Sequence, residues 1–290
     1  MKHASKPIKN LLSAIFAIIT ISLASLAVSQ ASEEKAYSRV VAIGGSVTEI
    51  IYALGEQERL IARDLTSMYP HEAMKLPSVG YIRRLSPEGV LSVQPDLIIT
   101  LEGAGPREAM DALTAANVPI SIVPEGYSSQ KVIEKIIAVG KALGVEDKAA
   151  ALVEKVKSEF AALALKSDEN AKKVIYVHSF VGDKILVAGA NTSAGSIIEL
   201  AGGKNGFNEI NGFKQVSEEA VISAQPDVIL MMQPFGNHSI SSDDVFAHPA
   251  VKVTPAGQNK ALVRMNGLYL LGFGPRTASA VKDLNSKLYE

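Results

Sequence analysis

The segment VGYIRR (residues 79–84) sets Tyr81 two residues before Arg83. A free phenol has a pKa of about 10. Along an extended segment, residues i and i+2 point to the same side, so Arg83 would favour the charged phenolate of Tyr81. Phenolate oxygen suits a hard cation such as ferric iron. The competing reading leaves Tyr81 packed on the surface and Arg83 and Arg84 solvated. His178 closes VIYVHS, where an imidazole either ligates a metal or makes a structural hydrogen bond. Tyr69 and His71 lie together in MYPHEA, and His238 follows a strand-like run in QPFGNHS. Arg276 in GFGPRT has the planar fork that pairs with a ligand carboxylate, or it braces the last helix.

Other chemistries are excluded or unsupported. The chain has 290 residues and no cysteine, which removes disulfides, Fe–S clusters, thiolate zinc sites and covalent c-type haem. Beyond residue 31 the histidines are His71, His178, His238 and His248, and they form no clustered metal motif, which argues against a zinc or manganese carrier. Neither a G-x-S-x-G elbow nor H-E-x-x-H is present, so an enzyme is not expected.

The residues above must be held by α/β units. RVVAIGG (39–45) reads as a strand, SVTEIIYALG (46–55) as a helix with Ser46 as cap and Glu49 at the third helical position, and RLIARD (59–64) as a strand. The "GGS" after the first strand lacks nucleotide-binding spacing and reads as a tight turn that lets backbone approach a ligand. LSPEGVLSVQPDLIIT (85–100) then recurs as VSEEAVISAQPDVILM (216–231), aligning Ser86 with Ser217, Glu88 with Glu219, and Pro95-Asp96 with Pro226-Asp227. Such a repeat implies two copies of one unit. The β-α-β-α order implies parallel sheets flanked by helices. Between the copies, Leu152, Val156, Phe160 and Leu163 mark a helix from Asp147 to about Lys166.

Lys2, Lys6 and Lys9 precede an apolar run, Leu11–Val28, and the small residues Ser29 and Ala31. This reads as a signal peptide over 1–31, cut after Ala31; an uncleaved anchor is the rival. Removing 31 of 290 residues leaves 259 and moves the formal charge from −1 to −4, which is no footprint for nucleic acid. Without an anchoring cysteine or a disulfide, the expected place is the periplasm of a Gram-negative cell.

IGGSVTEIIYALG, LPSVGYIRRLSPEGVLSVQPDLI and LLGFGPRT, with the paired PDLII and PDVIL strands, resemble the substrate-binding proteins of ABC importers for cobalamin, siderophores and haem, and among them the haem branch. The resemblance covers essentially the whole chain after the leader. It implies an α/β fold of two Rossmann-like lobes with parallel sheets, joined by one long rigid α-helix, with the ligand cleft between the lobes. The expected divisions are an N-terminal lobe over 32–128, a helical connection over 129–166 and a C-terminal lobe over 167–290. It implies ferric haem b as transported ligand, Tyr81 as iron ligand with Arg83 in support, and His178 as a second ligand or as ligand of a second haem. Arg276, Tyr69, His71 and His238 are candidate haem contacts, Arg276 through a propionate. It implies docking of Glu88 and Glu219 onto the two membrane subunits of the importer, one per lobe; the competing reading is that each carboxylate only favours the positive end of its helix. An outer-membrane haem uptake system upstream, a monomeric carrier and no catalysis complete the expectation. Cobalamin or a ferric siderophore is the alternative cargo.

Overall fold

Val40–Ile43 is buried at every position, the pattern of a strand covered on both faces. In the computed structural model, which describes residues 37–165, 171–182, 184–233 and 240–289, this run is the central strand β1. Gly44, at φ 116, turns the chain directly into α1 (Gly45–Ala53). β2 (Leu60–Arg63) follows. A two-strand hairpin, β3 (Gly80–Tyr81) and β4 (Arg84–Leu85), precedes α2 (Pro87–Leu91). Next come β5 (Leu97–Leu101), α3 (Arg107–Ala115) and β6 (Ile120–Val123). The strands form a parallel sheet in the order β2-β1-β5-β6.

The connection is helical, in two pieces. α4 (Ser129–Leu143) ends at Gly144, whose left-handed φ of 65 reverses the chain into α5 (Glu146–Ala161), and the two helices pack against each other. The segment read from sequence as one helix is therefore the second arm of a helical hairpin, and it stops at Ala161 rather than near Lys166.

The second half holds β7 (Lys173–Val181), β8 (Lys184–Ala188), α6 (Ser193–Leu200), β9 (Lys204–Asn205), β10 (Phe213–Ser217), α7 (Glu218–Ala224) and β11 (Val228–Met232). It closes with α8 (Ser242–Ala247), α9 (Pro249–Lys252), α10 (Pro255–Gln258), β12 (Leu262–Met265), α11 (Gly267–Leu271) and α12 (Thr277–Tyr289). The strands β9, β7, β11 and β12 repeat the parallel arrangement of the first sheet. The sheet differs from the all-parallel expectation because β7 is nine residues long. Its second half turns back through Gly182 (φ 60) into antiparallel β8, which pairs with β10. The signal peptide expected over 1–31 lies outside the described residues. Among the described residues, no helix is long and apolar enough to cross a membrane.

The duplicated sequence does the same work twice. Ser86 and Ser217 cap α2 and α7, accepting from the N–H groups of Gly89 at 3.1 Å and Ala220 at 3.4 Å. Gln94 and Gln225 both take left-handed backbone, at φ 53 and 45. Asp96 accepts from the N–H groups of Ser38 and Arg39, and Asp227 from that of Lys173, each carboxylate fixing the start of the neighbouring central strand. The Pro-Asp pair thus ends a helix turn and sets strand register in one step. Burial alone would raise the pKa of Asp96, but the amides of Ser38 and Arg39 and the Ser38 hydroxyl outweigh it and hold the carboxyl below its usual range.

We expect Asp96→Ala and Asp227→Ala each to cost about 1–2 kcal/mol in urea unfolding, the worth of hydrogen bonds to a charged acceptor. A depressed folded pKa contributes stability above the unfolded pKa and loses it as pH falls through the folded value. Asp96→Ala should therefore flatten the acid limb of the stability–pH curve below the unfolded value of 3.8; an unchanged acid limb would refute this role.

Candidate functional site

In each sheet the parallel strands run toward one cleft, and their carboxyl ends supply its walls. From the first half come Gly44–Ser46 after β1, Leu65 and Met68 after β2, Leu101 at the end of β5, and Glu125 and Tyr127 after β6. From the second half come His178, Phe213, Met232 at the end of β11, and α11 after β12. The cleft measures about 670 Å³, within the range of small-molecule sites. Leu65, Tyr81 and Phe213 are exposed by 54%, 44% and 42% although they are large and apolar. They line the same cleft, and so present flat apolar surface to an occupant rather than to a core.

Tyr81 reaches the cleft on the β3–β4 hairpin. Tyr81 pairs with Arg84 across the hairpin, so Ile82 and Arg83 are its two-residue turn. Arg83 is thus not on an extended segment beside Tyr81, as the i, i+2 argument required. Both residues still line the cleft, and the guanidinium of Arg83 donates to the carbonyl of Gly103 in the loop after β5. The hairpin is pinned at its base, where Gly80 accepts from Leu65 N–H at 2.8 Å and Leu85 N–H donates to Gly105 at 2.9 Å. Ile82 and Leu85 are buried beneath it.

His178 does not end its strand, since β7 continues to Val181. Val177 pairs with Val187 and Ser179 with Leu186, so His178 is the extra residue of a β-bulge. A bulge interrupts the alternation of side chains and re-aims one of them. The residues before His178 are buried and His178 itself opens into the cleft. Its ring lies 6.0 Å from that of Phe213 and 6.3 Å from that of Tyr176. Desolvation by these neighbours pushes its pKa below the usual imidazole value, which keeps the ring neutral and its lone pair available.

Arg276 and Tyr69 lie elsewhere. Arg276 donates from its main-chain N–H, Nε and Nη2 to the carboxylate of Glu49 on α1, at 3.1, 3.0 and 2.8 Å. Tyr69 stacks on the guanidinium, 3.3 Å from ring centroid to Cζ. Both line a separate depression of about 440 Å³, beside Tyr52 and α5. Arg276 is thus a brace between the two halves, not a wall of the cleft. The same pair takes Glu49 away from the helix-capping role read from sequence. His71 is exposed at the start of a 3₁₀ turn, His71–Lys75, outside both depressions. His238 lies outside the described residues.

Several cleft residues carried no signal in the sequence reading. Glu125 is held by Lys135, a fully buried ammonium at 2.5 Å. Desolvation pulls the Lys135 pKa down, while Glu125 acts against that. Tyr127 packs edge-on against Phe273 at 5.4 Å, and burial, with Glu125 adding to it, raises its pKa. Their position just beyond a parallel strand was the available clue.

Glu88 and Glu219 lie outside the cleft, exposed at the starts of α2 and α7. The Ser86 hydroxyl donates to Glu88 at 2.7 Å and Ser217 bonds Glu219 likewise. These hydroxyls are the main reason both carboxyls sit below their usual pKa.

A family model described as periplasmic binding protein matches residues 40–267. The periplasmic heme-binding protein RhuT from Roseiflexus sp. RS-1, in apo form, is 37% identical with a TM-score of 0.81, over 87% of this chain and 98% of that one. The periplasmic heme-binding protein BhuT in complex with two hemes is 35% identical with a TM-score of 0.80, over 86% of this chain and 97% of that one. A vitamin B12-binding protein of Vibrio parahaemolyticus serotype O3:K6 is 27% identical over 247 residues, 85% of this chain and 87% of that protein.

Because Glu49 is only 4% exposed, Arg276→Met strands a buried carboxylate and should cost about 3 kcal/mol in urea unfolding. The double variant Glu49→Leu/Arg276→Met should recover most of that loss. Equal destabilisation in single and double variants would refute the pairing.

Proposed function

The chain belongs to the periplasmic binding protein family, the substrate-binding components of ABC importers, and we propose that its cargo is ferric haem b, which it carries to the membrane subunits for haem-iron uptake. The observation that carries this reading is one apolar cleft with Tyr81 on the first half and His178 on the second. A phenolate and a neutral imidazole are two of the protein ligands that hold haem iron. Leu65, Phe213 and Met232 offer the surfaces on which a porphyrin face packs. Heme-binding structures are 23–37% identical and vitamin B12-binding relatives 27–28%, and the three heme-binding structures at 33–37% support haem over cobalamin.

In this reading Tyr81 ligates the iron and Arg83 adds positive charge beside the phenolate. His178 holds the other face of the iron, or the iron of a second haem. The lobes are residues 32–128 and 167–290, joined by the helical connection 129–166, and the leader 1–31 directs secretion. The carrier acts as a monomer on haem delivered by an outer-membrane uptake system. Glu88 and Glu219 form its docking points. They occupy matched places in the two copies, stay ionised, and suit a two-fold symmetric partner bearing cations.

Haemin titrated into residues 32–290 should give saturable absorption changes, with phenolate-type charge-transfer bands lost in Tyr81→Ala. Cyanocobalamin should not compete. His178→Ala should remove either one ligand band or one of two bound haems. A lowered folded pKa keeps the imidazole neutral above it, so the His178 contribution should persist at pH 6.5 and fade only below. No saturable haemin binding by folded protein would refute the haem reading, and cobalamin displacement would replace it.

Glu88→Arg and Glu219→Arg should each abolish stimulation of the importer's ATPase in vesicles, leaving haemin affinity unchanged. Full stimulation by the double variant would refute docking through these residues.

A further inference from the structure

We propose that the start of α1 is a carboxylate-binding subsite inside the cleft, which receives one acidic side group of the cargo on the first-turn amides and the hydroxyl of Ser46. The identity of the cargo, and so of that acid as a porphyrin propionate, rests on the haem reading above.

α1 begins without a side-chain cap, because its N-cap is Gly44. A helix of this length leaves its first N–H groups without intrahelical partners. Two neighbours are satisfied locally: Gly44 N–H donates to Asp64 Oδ1 and Gly45 N–H to Thr66 Oγ1, both at 3.0 Å. The N–H groups of Ser46 and Val47 are left. Independently, Ser46 Oγ is the one buried side-chain polar atom without a hydrogen-bond partner among the described residues, and Ser46 is 1% exposed. An unmet buried hydroxyl costs free energy unless something completes it. Gly44, Gly45 and Ser46 all line the cleft, with the side chains of Leu101 and Leu268, also in the cleft wall, packed over the two glycines, so a ligand acid reaches the helix end by displacing these leucines.

The second half supplies the internal control. α6 holds the corresponding position after the β7–β8 hairpin, and its first residue, Ser193, lines the same cleft. There Thr192 Oγ1 accepts from Gly195 N–H at 2.9 Å, a cap made by the chain itself. The first half has glycine where the second has its cap. Unpaired amides, a helix N-terminus and an idle hydroxyl together favour an anion. Asp64, a fully buried carboxylate at the same helix end, is already spent on Gly44, Thr66 and Ser67, so the free amides and the Ser46 hydroxyl, not net local charge, must supply the attraction for the ligand acid.

Two arms test this. In the first, sodium propionate is titrated into the ligand-free protein, with sodium chloride at matched ionic strength as control, and the amide resonances of Gly45, Ser46 and Val47 are followed. Saturable shifts at these amides, lost in Ser46→Asp, are expected. In the second, haemin is compared with its dimethyl ester. Wild type should bind the ester about tenfold more weakly or worse, the cost of a hydrogen bond to charge. Ser46→Ala should weaken haemin but not the ester. Absence of propionate shifts, together with equal affinity for haemin and ester, would overturn the subsite while leaving haem as cargo. Propionate shifts without saturable haemin binding would overturn haem while leaving the subsite.

Discussion

One buried carboxylate pairs the two halves of this molecule across their shared core. Glu49 sits 227 residues from Arg276, is almost fully buried, and receives three hydrogen bonds from it. Glu49 belongs to α1, whose other end opens into the cleft. Arg276 immediately precedes α12, which packs on α4, α5 and α6. A rotation of one half against the other must therefore pull a buried charge off its partner, and a lone buried charge is costly. Tyr69 stacks on the guanidinium and adds a cation–π contact to the pair. The pair thus opposes rotation of one half against the other.

The sequence duplication follows from the same geometry. A parallel strand can enter a sheet only after a crossover, and the crossover needs a stop, a turn and a register mark. Ser-x-Glu starts the short helix, the left-handed Gln ends it, and Pro-Asp ties the next strand to its neighbour. Since each half contains one such unit at the same place in its sheet, the exposed glutamate of the capping turn also occurs twice. Structural necessity accounts for the serine, glutamine and aspartate. It gives Glu88 and Glu219 a local role too, bonded to Ser86 and Ser217 at the helix starts, while their carboxylates still face solvent.

The strand and helix pattern, the halves and the presence of Tyr81, Arg83 and His178 in one cleft were legible in the sequence, because buried parallel strands announce themselves as apolar runs and their carboxyl ends converge. What was not legible depended on partners far along the chain. The bulge at His178 exists only relative to β8, so β7 alone could not reveal where its side chain points. The turn at Ile82-Arg83 required knowing that Gly80 faces Leu85. Arg276 read equally as ligand contact or brace, and its pairing with the distant Glu49 could not be seen in the sequence. Ser46 looked like a helix cap, but the helix starts at Gly45, leaving the serine inside the first turn.

The walls of the cleft differ in how firmly each is held. His178 stands on the longest strand of a six-stranded sheet, as the bulged residue just beyond Tyr176 and Val177, which pair with β11 and β8. Tyr81 stands on a hairpin with two residues in each strand, fastened through Leu65, Gly103 and Gly105. Local opening free energy scales with buried contacts and protected hydrogen bonds, so the Tyr81 wall yields before the His178 wall. With Glu49 and Arg276 pairing the halves, displacing the two-residue hairpin would break fewer contacts than separating the sheets. An importer that engages α2, directly after β4, acts within a few residues of that hairpin. If the partner docks at Glu88 as proposed, binding there and loosening at Tyr81 would be mechanically linked.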